Sequence, residues 1–72
     1  ERSRYLQAAI ESLPETDAVV VTLFYYEELS LEEIAGITGL TSSNIRIKLH
    51  RSRKKMYQVI RQALKKETTS IL

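Results

Sequence analysis

A cluster of hydrogen-bond donors and one aliphatic side chain occupies residues 42 to 54 of this 72-residue chain. The donors are hydroxyls, an amide, an imidazole, guanidinium groups and ammonium groups. Such groups bind phosphate oxygens and the acceptor atoms at base edges, and an aliphatic group can meet a thymine methyl. The chemistry available to this cluster is therefore recognition of a polyanion. Its members are Ser42, Ser43, Asn44, Arg46, Ile47, Lys48, His50, Arg51, Arg53 and Lys54.

The net charge of +2 conceals a strong asymmetry along the chain. Residues 1–36 carry two cations and eight carboxylates, which gives −6. Residues 37–72 carry nine cations and one carboxylate, which gives +8. A basic half of this kind suggests a surface for a polyanion. A solvated, lysine-rich helix face would show the same charges, so charge alone leaves both interpretations open.

Other kinds of chemistry lack the residues they need. The chain has no cysteine, and its single histidine cannot build a metal site, so we expect neither a metal nor a cofactor. The acidic side chains of residues 11–33 form no credible catalytic pair, and we expect neither an enzyme nor a small-molecule substrate. No apolar run approaches the roughly 18 residues of a membrane span, and no signal peptide is evident. We expect a cytoplasmic protein without a membrane partner.

Helices must position the donor cluster, because apolar residues recur every three to four positions along most of the chain. This periodicity predicts a helix over residues 2–12, with Pro14 in the first turn of the next. Residues 18–26 are apolar nearly all round. Their β-branched start would suit a strand, but no second strand is available to pair with it, so we predict a buried helix. We expect Phe24, Tyr25 and Tyr26 to be core or interface residues.

The second half of the chain has the layout of a helix-turn-helix. Ser30 and Glu33 form a capping box that begins a short helix. Gly39 supplies a left-handed stop, and Thr41 is the N-cap of a last helix running from about Ser42 to Lys66. Ala35 lies where the two helices touch, and Ile45 anchors the second on the first. We therefore predict an all-α, small four-helix domain over 1–72 with a long C-terminal recognition helix.

Helical periodicity divides the recognition helix into two faces. With Ile45 on the core side, Ser43, Ile47, His50 and Lys54 lie near the opposite side, and Arg46 and Arg51 lie on the flanks. The N-terminal end of such a helix enters the DNA major groove, where arginine can bind guanine. Ser42 and Ser43 suit a backbone phosphate. We expect phosphate contacts from Lys48, Arg53 and Lys54 as well.

The run LSLEEIAGITGLTSSNIRIKLHRSRKK, together with the Leu13-Pro14-Glu15 that precedes the apolar helix, resembles a known family. It is similar to region 4, the C-terminal promoter-binding region of bacterial sigma factors, in the extracytoplasmic-function (ECF) group of the sigma-70 family. The resemblance covers roughly residues 12–60. Its most specific part is an ordered series: Leu29-Ser30, Glu32-Glu33-Ile34-Ala35, Gly39 and then Lys48-Leu49-His50-Arg51-Ser52-Arg53. The final basic series, from Lys48 to Arg53, is characteristic of that group.

The resemblance implies a DNA-binding function in transcription initiation within the bacterial nucleoid. Region 4 recognises the −35 promoter element and docks on the β flap of RNA polymerase, and an anti-sigma factor commonly sequesters it. Base and backbone contacts would come from Arg46, Ile47, His50 and Arg51, and phosphate contacts from Ser43, Lys48 and Arg53. Two positions depart from the family. Glu28 replaces a frequent glycine, so its turn must be made without one, and Ile47 replaces a frequent small polar residue, which alters the base preference expected there.

Two other classes of protein share parts of this pattern. The output domain of a LuxR-type response regulator has the same capping box and turn but usually lacks the dense basic series. A protein-binding helical module would direct its basic face at an acidic partner instead of DNA. The first residue is Glu1, not Met, so we expect a fragment of a longer protein, and the sequence before it would distinguish these classes.

Overall fold

A computed structural model of the chain describes the backbone of residues 2–71 and the side chains of residues 4–66. Within that part there are four α-helices and no strand. The helices are α1 (Arg2–Glu11), α2 (Glu15–Val21), α3 (Leu31–Thr38) and α4 (Ser42–Ile71), and a π-helical turn over Thr22–Tyr26 continues α2. The predicted all-α, four-helix class is confirmed.

Pro14 separates the first two helices. The backbone N–H groups of Ser12 and Leu13 bond back to the last turn of α1. The Ser12 hydroxyl also donates to the Ala9 carbonyl at 2.6 Å. Pro14 (φ −55, ψ 150) is the N-cap of α2, one position before the first helical turn in which the sequence pattern placed it. Its carbonyl accepts the N–H of Ala18 at 2.9 Å, so the proline begins the helix without losing a donor.

The apolar run over residues 18–26 is helical as predicted, but it is not buried on all sides. Val20 and Val21 belong to the core, whereas Val19, Tyr25 and Tyr26 remain 45%, 45% and 49% exposed. The π-helical turn changes the register at Tyr25 and Tyr26. The N–H of Glu27 bonds to the carbonyl of residue 22 at 3.2 Å, one residue further back than in an α-helix, and this wider turn rotates the aromatic residues out of the α-helical register.

Glu28 makes the turn that follows with a positive φ of 56, in the left-handed region. This is the position at which the resembling family often has glycine. The turn therefore forms without glycine, as the sequence requires, and places a glutamate in a conformation that non-glycine residues seldom adopt.

The boundaries of the helix-turn-helix follow the predicted signals. Ser30 Oγ accepts the N–H of Glu33 at 3.1 Å, and the Glu33 carboxylate accepts the N–H of Ser30 at 2.8 Å. Gly39 ends α3 in the left-handed region with φ 78. Thr41 Oγ1 then accepts the N–H of Asn44 at 3.1 Å, which caps α4. Two capped helices are thereby held on either side of a short turn.

A single apolar cluster fixes α4 against the other helices. Ile34 of α3 and Ile45 of α4 are both fully buried, which confirms Ile45 as the anchor. The cluster comprises Ile10, Leu13, Val20, Val21, Ile34, Ile45 and Leu49. Among the described residues, the opposite side of α4 does not contact this cluster.

Helix α4 spans 30 residues, or about 45 Å at 1.5 Å per residue, in a molecule 48 × 19 × 16 Å across. It ends at Ile71, not near Lys66 as predicted. No glycine or proline follows Gly39 in the sequence, so nothing in the backbone interrupts the helix. None of the helices over residues 2–71 has both the length and the apolar character needed to cross a membrane.

Candidate nucleic-acid interface

The outward face of α4 carries six of the ten candidate residues in exposed positions. Ile47 is 60% exposed, whereas Ile45, two positions earlier, is fully buried. This contrast fixes the orientation of the helix on the core. The exposed candidates on this face are Ser43, Asn44, Arg46, Ile47, His50 and Lys54, whereas Arg51 and Arg53 are also exposed but contact α2 and the π-helical turn. Their exposure agrees with the predicted faces, and their contact with DNA stays a prediction.

The N-terminal turn of α4 presents free backbone donors beside this face. The hydroxyl of Thr41 accepts the N–H of Asn44, and its carbonyl accepts the N–H of Ile45. The first N–H groups of a helix have no carbonyl one turn earlier, so those of Ser42 and Ser43 point out of the helix end. Ser43 is exposed and Ser42 half-buried. Such an end favours an anion, since the helix dipole adds partial positive charge there.

Two further candidates turn towards a buried carboxylate on α2. Asp17 is 2% exposed. Lys48 Nζ lies 3.4 Å from its Oδ1, and Arg51 Nη2 lies 3.3 Å from both of its oxygens. The side chain of Lys48 is 16% exposed and that of Arg51 is 60% exposed. Lys48 is thus directed into the protein, whereas Arg51 keeps most of its surface in solvent.

Arg53, the tenth candidate, lies on the other flank of α4 and contacts Tyr25 of the π-helical turn. Its Nε donates to the tyrosine hydroxyl, and its guanidinium carbon lies 5.8 Å from the ring centroid, within cation–π range. Phe24 packs edge-on against the same ring with centroids 5.0 Å apart. These contacts direct Arg53 away from the outward face.

An apolar groove of about 270 Å³ opens beside Tyr25, between α1, the π-helical turn and α4. Tyr57 on its rim is 65% exposed. The groove is lined by Leu6, Ile10, Val21, Tyr25, Tyr26, Arg53, Met56, Tyr57 and Ile60. This position fits the expectation that the aromatic residues of 18–26 are core or interface residues. The groove itself was not predicted from the sequence.

Asp17 is the residue of the candidate interface that the sequence pattern did not identify. With Glu15, it belongs to the acidic first turn of α2, which is where helices favour negative charge for reasons of their own. Its partners lie 31 and 34 residues away. No local spacing could associate them, and only the packing of α2 on α4 brings them together.

Comparison with known proteins places the chain in a family. A family model described as "Sigma-70, region 4" matches residues 3–56. RNA polymerase sigma factor SigV of Bacillus subtilis is 37% identical over 51 residues, which cover 71% of the chain and 31% of that protein. No solved structure matches the chain significantly.

Sigma factors named FliA give similar matches over shorter stretches. The protein of Salmonella typhimurium is 49% identical over 37 residues, which cover 51% of the chain and 16% of the relative. That of Escherichia coli K12 is 43% identical over 44 residues, which cover 61% of the chain and 18% of the relative. The chain therefore spans less than a third of the length of these relatives.

Proposed function

The chain belongs to the sigma-70 region 4 family, and we propose on this premise that it binds promoter DNA in transcription initiation, at the −35 element. The observation that carries the proposal is the exposed donor face of α4, opposite the buried Ile45. A recognition helix with this orientation reads base edges in the major groove through its N-terminal residues. The whole of 1–72 acts in this proposal as one DNA-binding unit of a bacterial cytoplasmic protein.

The residues of the outward face divide into base readers and phosphate contacts. Arg46 can donate to guanine O6 and N7, and Ile47 can meet a thymine methyl. His50 can donate to a base acceptor or to a phosphate. The N-terminal end of α4 at Ser42 and Ser43 receives a phosphate, which the two free N–H groups and the capped helix end support. Asn44 lies in the same exposed turn. Lys54 contacts the phosphate backbone of the DNA, one helical turn beyond His50.

The apolar groove supports the second part of the proposal, docking on the β flap of RNA polymerase. Its lining is almost entirely aliphatic and aromatic, as expected for a site that takes an apolar segment of a partner protein. The residues of α4 that line the groove, from Arg53 to Ile60, lie further along the helix than most of the outward face, so polymerase and DNA can be bound together. An anti-sigma factor that covered the groove would compete with polymerase.

The finer assignment to the extracytoplasmic-function group is supported by the basic series from Lys48 to Arg53 alone. The matched relatives FliA and SigV support membership of the sigma-70 family without distinguishing its groups. The response-regulator alternative has no comparable support, since the family model that matches most of the chain is sigma region 4.

Salt-dependent DNA binding tests the proposal directly. We expect log K to fall linearly with log[salt], with a slope of about −0.9 for each phosphate that the chain neutralises. The chain is titrated by fluorescence anisotropy against a duplex that it has selected from a randomised pool and against an unrelated duplex. Binding without salt dependence, or failure to select any duplex, would refute the DNA-binding function.

A charge placed on the rim of the groove tests polymerase docking. Tyr57→Asp should weaken binding to an isolated β flap domain, because an exposed carboxylate would have to be desolvated in an apolar contact. Ile37→Asp is the matched control, since Ile37 is 63% exposed and lies on α3 outside the groove. Equal effects of both variants would place the polymerase contact elsewhere.

A further inference from the structure

We infer that Asp17 is a positioning residue for DNA recognition: its buried carboxylate holds Arg51 beside the outward face of α4, and Lys48 is its counter-charge and not a phosphate contact. The inference rests on the proposed function and deepens it. Asp17 lies on α2, outside the helix-turn-helix, and reaches α4 through two ion pairs.

The geometry of Arg51 allows it to hold Asp17 and bind DNA at the same time. A single nitrogen, Nη2, contacts both carboxylate oxygens at 3.3 Å. A guanidinium has five N–H donors on three nitrogens, so Nε and Nη1 remain available. The side chain is 60% exposed, and it lies one helical turn after Ile47, on the same side of the helix.

Restraint of this kind favours binding because a free arginine side chain loses conformational entropy when it is ordered on DNA. If Asp17 orders the Arg51 side chain in the unbound protein, part of this entropy is lost before DNA binds, and binding loses less. The planar guanidinium then has a fixed orientation. Hydrogen bonds to a base edge require such an orientation, whereas electrostatic attraction to phosphate does not. Asp17 is therefore expected to act on discrimination between DNA sequences.

Lys48 has a different position although it shares the carboxylate. Its side chain is only 16% exposed, and its ammonium group is directed at Asp17. Reaching a phosphate would require it to leave a carboxylate that is itself 3% exposed, and a buried charge with fewer partners is costly. Lys48 therefore neutralises Asp17, so that one net positive charge, on Arg51, remains at the DNA side of the cluster.

A double-mutant cycle between Asp17 and Arg51 tests the inference. Asp17→Asn keeps the side-chain shape and removes the charge. It should lower affinity for the selected duplex roughly three- to thirtyfold, within the range of coupling between residues that share a network, and change affinity for an unrelated duplex much less. In an Arg51→Ala background the same substitution should have no further effect. Glu15→Gln is the control, since it removes a carboxylate from the same turn of α2 at an exposed position and should leave discrimination unchanged.

The salt dependence of Lys48→Met gives a second test that does not need the Asp17 variant to fold. The slope of log K against log[salt] should be that of the unmodified chain, whereas loss of a phosphate contact would reduce it by about one. A reduced slope would overturn the role of Lys48. Tighter binding of Asp17→Asn to both duplexes, or effects that multiply with those of Arg51→Ala, would overturn the role of Asp17. In each case the proposed function still holds if the unmodified chain selects a duplex.

Discussion

Replacing Glu28 with glycine should make this protein more stable, although glycine usually destabilises a folded chain. Glu28 has φ 56, a region in which the Cβ of an L-residue crowds the following carbonyl oxygen. Glycine has no Cβ and adopts the conformation without that cost. The structure thus identifies a strained position in the turn between the π-helical segment and α3.

Two opposing terms set the size of the effect. The left-handed conformation costs a non-glycine residue about 1–2 kcal/mol, whereas glycine costs about 0.5–1 kcal/mol through the greater freedom of the unfolded chain. The midpoints of these ranges differ by about 0.75 kcal/mol, so Glu28→Gly should raise the free energy of unfolding by about 0.5–1 kcal/mol. For a chain of this length, that corresponds to a rise in Tm of about 2–8 °C.

The neighbouring glutamate provides a matched control. Glu27 has φ −88 and ψ −9, so Glu27→Gly removes the same charge without relieving strain and should lower stability by about 0.5–1 kcal/mol. Glu28→Ala removes the charge at the strained position and keeps the Cβ. Urea and thermal unfolding followed by circular dichroism measure all three. If Glu28→Ala stabilised the protein as much as Glu28→Gly, charge repulsion and not backbone strain would be the cause.

Three further substitutions have defined outcomes. Ser52→Ala should stabilise the chain by about 1 kcal/mol in urea unfolding, because Ser52 Oγ is buried without a hydrogen-bond partner among the described residues; a loss of stability would contradict this. Ser30→Ala should cost about 1 kcal/mol by removing the cap of α3, and an unchanged Tm would argue against the capping box. Arg46→Gln should weaken binding to the selected duplex by about 1–3 kcal/mol. Arg61→Gln, about 22 Å further along α4, should leave it nearly unchanged, and equal losses would show that charge alone drives binding.

The fold was largely predictable because its boundaries are made by local chemistry. The reciprocal bonds of Ser30 and Glu33, the left-handed Gly39 and the cap at Thr41 each act within a few residues, and each is visible in the sequence. The π-helical turn and the length of α4 were not predicted. The first has no local signature in the apolar run of residues 18–26, and the second follows from the absence of any residue that would stop the helix.

The candidate interface was predictable in part for the same reason. Helical periodicity separates Ile47 from Ile45, and the structure has the expected exposure at both. Periodicity cannot show which cations of α4 already have partners within the protein. Lys48 and Arg53 were expected to contact phosphate, yet one is directed at Asp17 and the other at Tyr25, because contacts between distant residues depend on tertiary packing.

The two surfaces that we propose for DNA and polymerase are carried by one uninterrupted helix. Ile47 on the outward face and Tyr57 on the rim of the groove are ten residues apart, or about 15 Å along the axis of α4. A helix without glycine or proline between them fixes both this distance and the angle between the surfaces. On either side of α4, a further contact reinforces the arrangement: Asp17 ties Arg51 to α2, and Tyr25 ties Arg53 to the π-helical turn. A partner seated in the groove would therefore set the position of the DNA-binding face as a rigid body, which is the property that a protein aligning polymerase on a promoter requires.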